Sequence, residues 1–306
     1  MAGKPQDFMR VGIVHFMAFP AVIKGEGPIR ESLQLIYDDK YFQAVEVTTI
    51  KDKEERKHSI RCAKDADFTV GFGAQPILLI NKLNLNALDE AERKKAVEAV
   101  NKAIDEAYEW EAIGLAVLSG PDPGADKRGE AKRALITSLK ELCAHSRTKG
   151  KMPIILETFD RKPFGKNCLI GPTTDAVEVA EAVTADSPNF GLMLDLSHLP
   201  LQEEDAKTAI TTAGKFLKHV HIGSCVIKNS KNPAYGDGHP AFGASDSEVD
   251  ALGVAEFLSV LKEVGYLDVK RRPVVSFEVK PYGEETSEEV IRNAQETLDE
   301  AWGLMD

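Results

Sequence analysis

The stretch Phe190-Gly191-Leu192-Met193-Leu194-Asp195 is a short apolar run that ends in an acidic residue. Such a run is typical of a parallel strand that is buried on both faces. Three further runs in the second half of the chain end in a residue type that binds metal ions: PIILE at Glu157, HVH at His221 and VVSFE at Glu278. Because segments with helical spacing separate the runs, we expect four parallel strands that carry these residues at their carboxyl ends.

The same alternation of apolar runs and amphipathic segments extends along the whole chain. The predicted strands are Val11–Phe16, Ala44–Thr48, Phe68–Phe72, Ile113–Leu118, Pro153–Glu157, Phe190–Asp195, Lys218–Ile222 and Pro273–Val279. The predicted helices are Ile29–Asp38, Asp52–Lys64, Asp89–Glu109, Glu130–Arg147, one from near Thr174, Glu203–Phe216, Val254–Val264 and Ser287–Leu304.

Eight strand–helix repeats joined by right-handed connections can close into a barrel. We therefore predict an α/β protein in which residues 1–306 form one (β/α)8 TIM barrel, with a long loop over 223–250 after strand seven. An open doubly wound sheet is the competing fold. It requires a glycine-rich phosphate turn after the first strand, where the chain instead has His15-Phe16-Met17.

The composition excludes several classes of partner. The chain has 49 acidic and 38 basic residues, a formal net charge of −11, which argues against nucleic acid and disfavours an anionic membrane surface. No apolar run approaches the roughly 18–20 residues that span a bilayer, and the first ten residues, MAGKPQDFMR, lack a signal-peptide pattern. Four scattered cysteines fit a reducing compartment, so we expect a cytoplasmic protein.

The four strand-end residues predict a metal site. Side chains at the carboxyl ends of barrel strands converge on the mouth of the barrel, so Glu157, Asp195, His221 and Glu278 are expected to lie together. Three carboxylates and one imidazole suit one divalent ion, with Mn²⁺ expected and Mg²⁺, Co²⁺ or Zn²⁺ as alternatives. Taken singly, each residue has another explanation, such as a turn cap, a core histidine or an ion pair. Together they favour a metal centre.

The chain resembles the xylose isomerase-like TIM-barrel superfamily, which includes sugar phosphate isomerases, ketose 3-epimerases and an AP endonuclease. The resemblance rests on Glu157, on Asp195-Leu196-Ser197-His198, on His221-Ile222-Gly223 and on Glu278. It implies that these two glutamates, with Asp195 and His221, hold the metal, and that His198 contacts the substrate. The endonuclease uses more histidines than this chain offers, and the acidic charge also disfavours a DNA-repair role.

A hard cation between two glutamates suits chemistry next to a carbonyl, so Glu157 and Glu278 are also candidates for proton transfer. Reprotonation of the resulting enolate gives an epimer or an isomer, and loss of a leaving group gives elimination. The ketose 3-epimerase pattern carries a glutamate six residues after the strand-five ligand and an arginine six residues after the strand-seven histidine. Here those positions are Pro163 and Ile227.

Other motifs resemble the catalytic subunits of bacterial C-glycoside deglycosidases and their uncharacterised relatives. They are Gly25-Glu26-Gly27-Pro28, Glu157-Thr158-Phe159-Asp160-Arg161, Lys166, Leu169-Ile170-Gly171-Pro172 and the loop Tyr235-Gly236-Asp237-Gly238-His239-Pro240-Ala241-Phe242-Gly243. This resemblance implies a lyase that cleaves 3-oxo-glycosides, works as an oligomer and pairs with a small β subunit. A ketose 3-epimerase or an aldose–ketose isomerase is the alternative.

Further polar residues are candidates for the site. His239, in the loop after strand seven, is a candidate acid or base for a leaving group, because the pKa of a histidine suits that role. A structural loop with buried aromatic anchors is the equal alternative for this segment. Residues at or after strand ends that could bind sugar hydroxyls are His15, Glu46, Gln75, Asn81, Arg161 and Lys280.

Two hypotheses from different classes follow. In the first, the chain is a metal-dependent carbohydrate lyase, isomerase or epimerase with a small sugar or glycoside as its substrate. In the second, it is a metal-binding partner subunit without turnover of its own. The complete set of four ligands favours the enzyme.

Overall fold

The computed structural model describes residues 3–161 and 164–305 and confirms the predicted (β/α)8 barrel. Eight parallel strands close in chain order, with β8 pairing back to β1. The strands are β1 Arg10–Val14, β2 Ala44–Val47, β3 Thr69–Gly73, β4 Leu115–Leu118, β5 Ile154–Glu157, β6 Phe190–Asp195, β7 Leu217–Gly223 and β8 Val274–Glu278. Their residues are almost all buried, as expected of strands covered on one face by helices and on the other by the barrel interior.

Helices surround the barrel. They are α1 Pro5–Phe8, α2 His15–Ala18, α3 Ile29–Asp38, α4 Lys53–Asp65, α5 Gln75–Ile80, α6 Glu90–Glu109, α7 Arg128–Arg147, α8 Thr173–Thr184, α9 His198–Gln202, α10 Ala206–Ala213, α11 Ala251–Glu263 and α12 Ser287–Leu304. Short 3₁₀ turns occupy Pro20–Val22, Ala125–Lys127 and Gly214–Phe216. Aspartate side chains at residues 52, 89, 205 and 250 cap the amino ends of α4, α6, α10 and α11.

Three local predictions differ from the structure. The first strand ends at Val14, and the chain turns at once into α2, so His15 lies in a helix. The loop after strand three contains the short helix α5, which begins with Gln75 and Pro76, a residue favoured in a first helical turn. The predicted helix Glu203–Phe216 begins later, because Glu203 adopts a left-handed backbone (φ 58°) that ends α9.

Strand β7 ends at Gly223 and α11 begins at Ala251, which leaves a long connection over the mouth of the barrel. Much of this connection is buried, including His239 and Phe242. All four cysteines are free thiols. Among the residues that the structure describes, no helix is long and apolar enough to cross a membrane.

Candidate active site

Four neighbouring strands bring the predicted ligands together. Glu157, Asp195, His221 and Glu278 are the last or nearly the last residues of β5, β6, β7 and β8, and Asp195 is the register partner of His221. One ligand atom from each residue lies within 4.8 Å of the others. We name these four residues the quartet. Three of them are buried, and Glu278 is partly exposed.

The imidazole of His221 lies at the centre of the quartet. Its Nδ1 is 2.7 Å from Glu278 Oε2, 3.8 Å from Asp195 Oδ2 and 3.9 Å from Glu157 Oε1. Three carboxylate oxygens on three different strands therefore face one imidazole nitrogen. This is the arrangement of a chelating site in which each strand supplies one donor.

Contacts outside the quartet orient its members. His221 Nε2 lies 3.0 and 3.1 Å from the two Glu46 oxygens, and Glu46 Oε1 is also 2.7 Å from His219 Nε2. Gln75 Nε2 donates to Glu157 Oε2 at 2.8 Å, while the Ser197 amide donates to Asp195 Oδ1 at 2.6 Å. A carboxylate behind a histidine fixes the tautomer whose other nitrogen can bind a metal.

The remaining oxygens support a cation at this point. Glu157 Oε1 and Asp195 Oδ2 are buried and have no hydrogen-bond partner among the described residues, although the second oxygen of each residue has one. Both unpartnered oxygens are the atoms that face His221 Nδ1. Buried carboxylate oxygens without a partner are costly, and a divalent ion would satisfy both at once. The donor set thus fits a hard divalent metal.

The two glutamates differ in their tendency to ionise. Burial raises the pKa of Glu157 to about 8, and the nearby charge of Glu278 adds to this effect. Burial also opposes ionisation of Glu278, but the adjacent His239 and His221 lower its pKa to about 2. Two carboxyl groups of one site therefore differ in protonation at neutral pH when no metal is present.

This difference predicts how the metal-free protein responds to pH. The pKa of Glu157 is higher in the folded state than its ordinary 4.5, so its contribution to stability is complete below about pH 4.5 and is lost as the pH rises through about 8. We therefore expect the melting temperature of the metal-free wild type to fall across this interval relative to that of a variant in which residue 157 does not titrate. Metal affinity should increase across it, because the proton on Glu157 competes with the cation.

Differential scanning fluorimetry and calorimetric titration with Mn²⁺ between these pH values would check both trends. The Glu157→Gln variant is the control, because its side chain does not titrate and its melting temperature should vary less with pH. A melting temperature that rises with pH in the metal-free wild type, but not in this variant, would contradict the prediction.

Glu46 offers a second test of the site. Glu46→Gln removes the negative charge behind His221 while nearly preserving the shape of the side chain, and we expect it to weaken Mn²⁺ binding by roughly 10–100-fold. The matched control is Glu204→Gln, since Glu204 also accepts hydrogen bonds, from Thr173, but contacts no member of the quartet. Calorimetry would measure both affinities. Equal affinities in the two variants would show that Glu46 does not orient the ligand.

A second buried cluster adjoins the quartet and is centred on Asp237. Its Oδ1 lies 2.7 Å from His239 Nε2 and 3.0 Å from His198 Nε2, and its Oδ2 accepts a hydrogen bond from Lys166. His239 Nε2 is also 3.4 Å from Glu278 Oε1, which links the two clusters. Burial opposes protonation of His198, but Asp237 and Asp195 raise its pKa to about 10. Asp237 therefore holds Lys166 and two histidines beside the quartet.

The sequence pattern assigns no individual role to Asp237, and Lys166 enters it only as part of a motif. Lys166 and Asp237 are 71 positions apart and meet because the loops after β5 and β7 fold over the same mouth. The close spacing of Asp237 and His239 in a glycine-rich loop was the available signal, since two ligand-type residues two positions apart can serve one site.

The quartet opens into a pocket of about 90 Å³. Its wall includes Glu46, Gln75, Glu157, Phe159, Lys166, His221, His239, Glu278 and several apolar residues at the end of β1 and in the segments that follow β1 and β3. Phe159 packs against His198, with 4.4 Å between the ring centroids. Lys166 Nζ lies over the Phe159 ring, 5.2 Å from its centroid. The pocket thus combines carboxylates, two imidazoles, one ammonium and an aromatic face.

Other predicted site residues lie outside this pocket. His15 is buried against Phe19 and pairs with Ser32 Oγ at 2.8 Å, and burial lowers its pKa to about 3. Arg161 donates to Leu169 O and to Asp175. Lys280 lies over the ring of Tyr282 at 5.0 Å. Each side chain is engaged by its own neighbours and does not line the pocket, and substrate binding by these three residues stays a prediction.

The remaining sequence predictions divide between the core and the surface. Asn81 is exposed and lines a separate groove, and Phe242 packs in the core against Phe277. Ile227 is half-buried, whereas Pro163 lies outside the described residues. Tyr235 packs against Phe164, with ring centroids 6.2 Å apart.

Comparisons with known proteins agree with the fold. The profile of the family described as xylose isomerase-like TIM barrel matches residues 31–301. D-psicose 3-epimerase of Ruminiclostridium cellulolyticum is 29% identical over 181 residues, which span 57% of this chain and 57% of that protein, less than two thirds of its length.

Two solved structures share the architecture over nearly the whole chain. D-psicose 3-epimerase with D-tagatose from Clostridium cellulolyticum H10 has a TM-score of 0.68 and 18% identity, and the match covers 97% of this chain and 100% of that one. A D-tagatose 3-epimerase-like protein has a TM-score of 0.72 and 19% identity, with coverage of 97% and 98%. At these identities the likeness demonstrates a common fold.

Proposed function

Since the chain belongs to the xylose isomerase-like TIM-barrel family, we propose that it is a divalent-metal-dependent enzyme that moves a proton next to the carbonyl of a keto-sugar. Epimerisation is the outcome that we favour, with isomerisation as its close variant. The observation that supports this proposal most directly is the quartet, in which a carboxylate oxygen of Glu157 and one of Glu278 lie within 4.8 Å of each other. The names of the similar proteins, D-psicose and D-tagatose 3-epimerases, support this choice of outcome.

The quartet would hold the metal, and Mn²⁺ is the ion that we propose for the donor set. When bound, such a cation would stabilise the negative charge that develops on the substrate oxygen as the adjacent C–H bond breaks. Inversion at a carbon requires one group to remove a proton from one face and another to return a proton to the other face. Glu157 and Glu278, which come from β5 and β8, are suited to these two roles.

Neighbouring residues of this chain would support the proton transfer. Gln75 donates a hydrogen bond to Glu157 Oε2, and the other oxygen, Oε1, faces His221 Nδ1 within the quartet. His239 Nε2, 3.4 Å from Glu278 Oε1, can exchange a proton with that carboxylate, while Asp237 Oδ1, 2.7 Å from the same nitrogen, holds the ring in place. The Lys166 ammonium lines the pocket and can donate to a sugar hydroxyl. Phe159 supplies an aromatic face for the C–H side of a sugar.

A lyase that cleaves 3-oxo-glycosides is the second candidate. One observation favours it: Ile227, and Pro163 in the sequence, stand where the ketose 3-epimerase pattern has polar partners. His239 would then be the acid that protonates the leaving group, and a small β subunit would complete the assembly. Light scattering of the purified chain, alone and with a co-expressed partner, would test the oligomeric part of this proposal.

The deciding experiment is incubation with Mn²⁺ in D₂O and a panel of ketoses and 3-oxo-glycosides. One deuterium on a retained carbon skeleton, with inverted configuration at that carbon, would support the epimerase. Release of the second moiety would support the lyase. Absence of exchange and of cleavage across the panel, in protein with one equivalent of metal bound, would contradict both.

A further inference from the structure

A groove lined by lysines lies beside the pocket and is not used by the proposed chemistry. It has a volume of about 350 Å³, against about 90 Å³ for the pocket. The two cavities share Ile23, Pro76 and Ile80 as wall residues, so they adjoin at the mouth of the barrel. A small pocket beside a larger groove is suited to a substrate that extends beyond the reacting sugar.

The floor of this groove is apolar. Helix α5 contributes Ile77 and Ile80, and α6 contributes Ala99 and Ala103. Ile80 is 45% exposed and adjoins Ile77 in the groove wall, so the floor presents apolar surface to the groove. An apolar group that lay on this floor would remove that surface from water.

The rim of the groove is cationic, although the chain as a whole carries a net charge of −11. Lys24, Lys51 and Lys102 line it. Lys51 pairs with exposed Glu26 at 2.7 Å and lowers the pKa of that carboxyl, and the charge of Lys24 adds to this effect. Neither Lys24 nor Lys102 has a carboxylate within ion-pair distance among the described residues. Three ammonium groups near one exposed carboxylate, over an apolar floor, favour a ligand that is apolar and negatively charged.

The one carboxylate of the groove does not cancel this charge. Glu106 is buried, its Oε1 accepts from the Ile50 amide at 2.8 Å, and its Oε2 pairs with Arg56 at 3.2 Å. Thr48 adds a polar group to the same wall. Its side chain is 6% exposed, and its hydroxyl has no hydrogen-bond partner among the described residues.

We propose that this lysine groove binds the distal part of the substrate, an apolar group that carries a carboxylate or phosphate. The proposal rests on the proposed function, because the sugar end of the same molecule would reach the quartet through the adjoining pocket. It narrows the substrate class from free ketoses to keto-sugars that bear such a group.

Binding of 2-naphthoate to the metal-loaded protein tests the groove directly, and 2-naphthamide is the neutral probe of nearly equal shape. Calorimetry at low ionic strength should show tighter binding of 2-naphthoate. We expect the double variant Lys24→Gln/Lys102→Gln to weaken 2-naphthoate by roughly tenfold and to leave 2-naphthamide nearly unchanged, because each exposed charge contributes only a few-fold. Added salt should weaken only the anionic probe.

The matched control is Lys215→Gln, an exposed lysine that precedes β7 at the opposite end of the barrel. Ala99→Phe, which fills the floor, should exclude both probes and thereby place them in the groove. Failure of 2-naphthoate to bind, or equal affinity for the double variant and the control, would overturn the proposal. Lack of deuterium exchange with every keto-sugar would instead overturn the proposed reaction, since probe binding does not depend on turnover.

Discussion

Replacing Glu157 by glutamine is expected to abolish solvent deuterium exchange into the keto-sugar that the wild type turns over, by at least roughly 10²–10⁴-fold. The substitution removes a ligand charge and a proton acceptor together. It should preserve the fold, because the glutamine oxygen can still accept the hydrogen bond that Gln75 donates to Glu157 Oε2 at 2.8 Å. Mass spectrometry of the recovered sugar would measure the exchange.

The control for this variant is Glu92→Gln, the same chemical change at an exposed position of α6. It should exchange deuterium at the wild-type rate. Titration with excess Mn²⁺ separates the two roles of Glu157: a rate that excess metal restores indicates ligation alone, and a rate that stays low with metal bound indicates proton transfer. Exchange by Glu157→Gln within a few-fold of the wild type, without added metal, would contradict both roles.

Removal of the metal with EDTA is expected to reduce turnover to the background rate, and Mn²⁺ in slight excess should restore it. Metal that binds only the folded chain also stabilises it, by about 2.7 kcal/mol when the free ion is 100-fold above its Kd. The melting temperature should therefore fall with EDTA and recover with Mn²⁺.

Asp195→Asn is the variant that checks where the ion binds. Asp195 Oδ2 is buried 3.8 Å from His221 Nδ1, and no residue that the structure describes hydrogen-bonds to it, so the variant should lose most of the thermal shift that Mn²⁺ produces. The control is Asp205→Asn. Asp205 caps the amino end of α10 and lies outside the quartet, and asparagine can also cap a helix. Full turnover in protein that elemental analysis shows to be free of metal would refute the metal requirement.

The sequence was sufficient to predict the barrel and the meeting of the quartet. A parallel strand that is buried on both faces reads as an apolar run, and closure of the barrel places the carboxyl ends of all strands at one rim. Asp195 and Glu278 could thus be expected to be neighbours although 83 positions (278 − 195) separate them. This prediction of proximity needs only the order of the strands and no detail of side-chain packing.

Side-chain direction and long-range pairing could not be predicted in this way. The predicted strand Val11–Phe16 includes His15, but β1 ends at Val14, two residues earlier than predicted. The chain turns there into α2, and the His15 ring packs against Ser32 and Phe19. Asp175 binds Arg161 from the start of α8. A pattern of apolar spacing carries no information on such partners, since polar residues at strand ends all look alike in sequence.

The quartet comes entirely from β5–β8, whereas the floor and rim of the lysine groove come from the segments that follow β1, β2 and β3. The residues that line the lysine groove could therefore change in evolution while the quartet stays the same. Changes in α5 beyond Gln75, which holds Glu157, or in the loop that carries Lys24 would alter which molecules are accepted without disturbing the atoms that break the C–H bond. A chimaera that takes residues from β1 to β4 from one relative but keeps Glu46 and Gln75, and that takes β5 to β8 from this chain, would be a direct way to exchange substrate preference while the chemistry is retained.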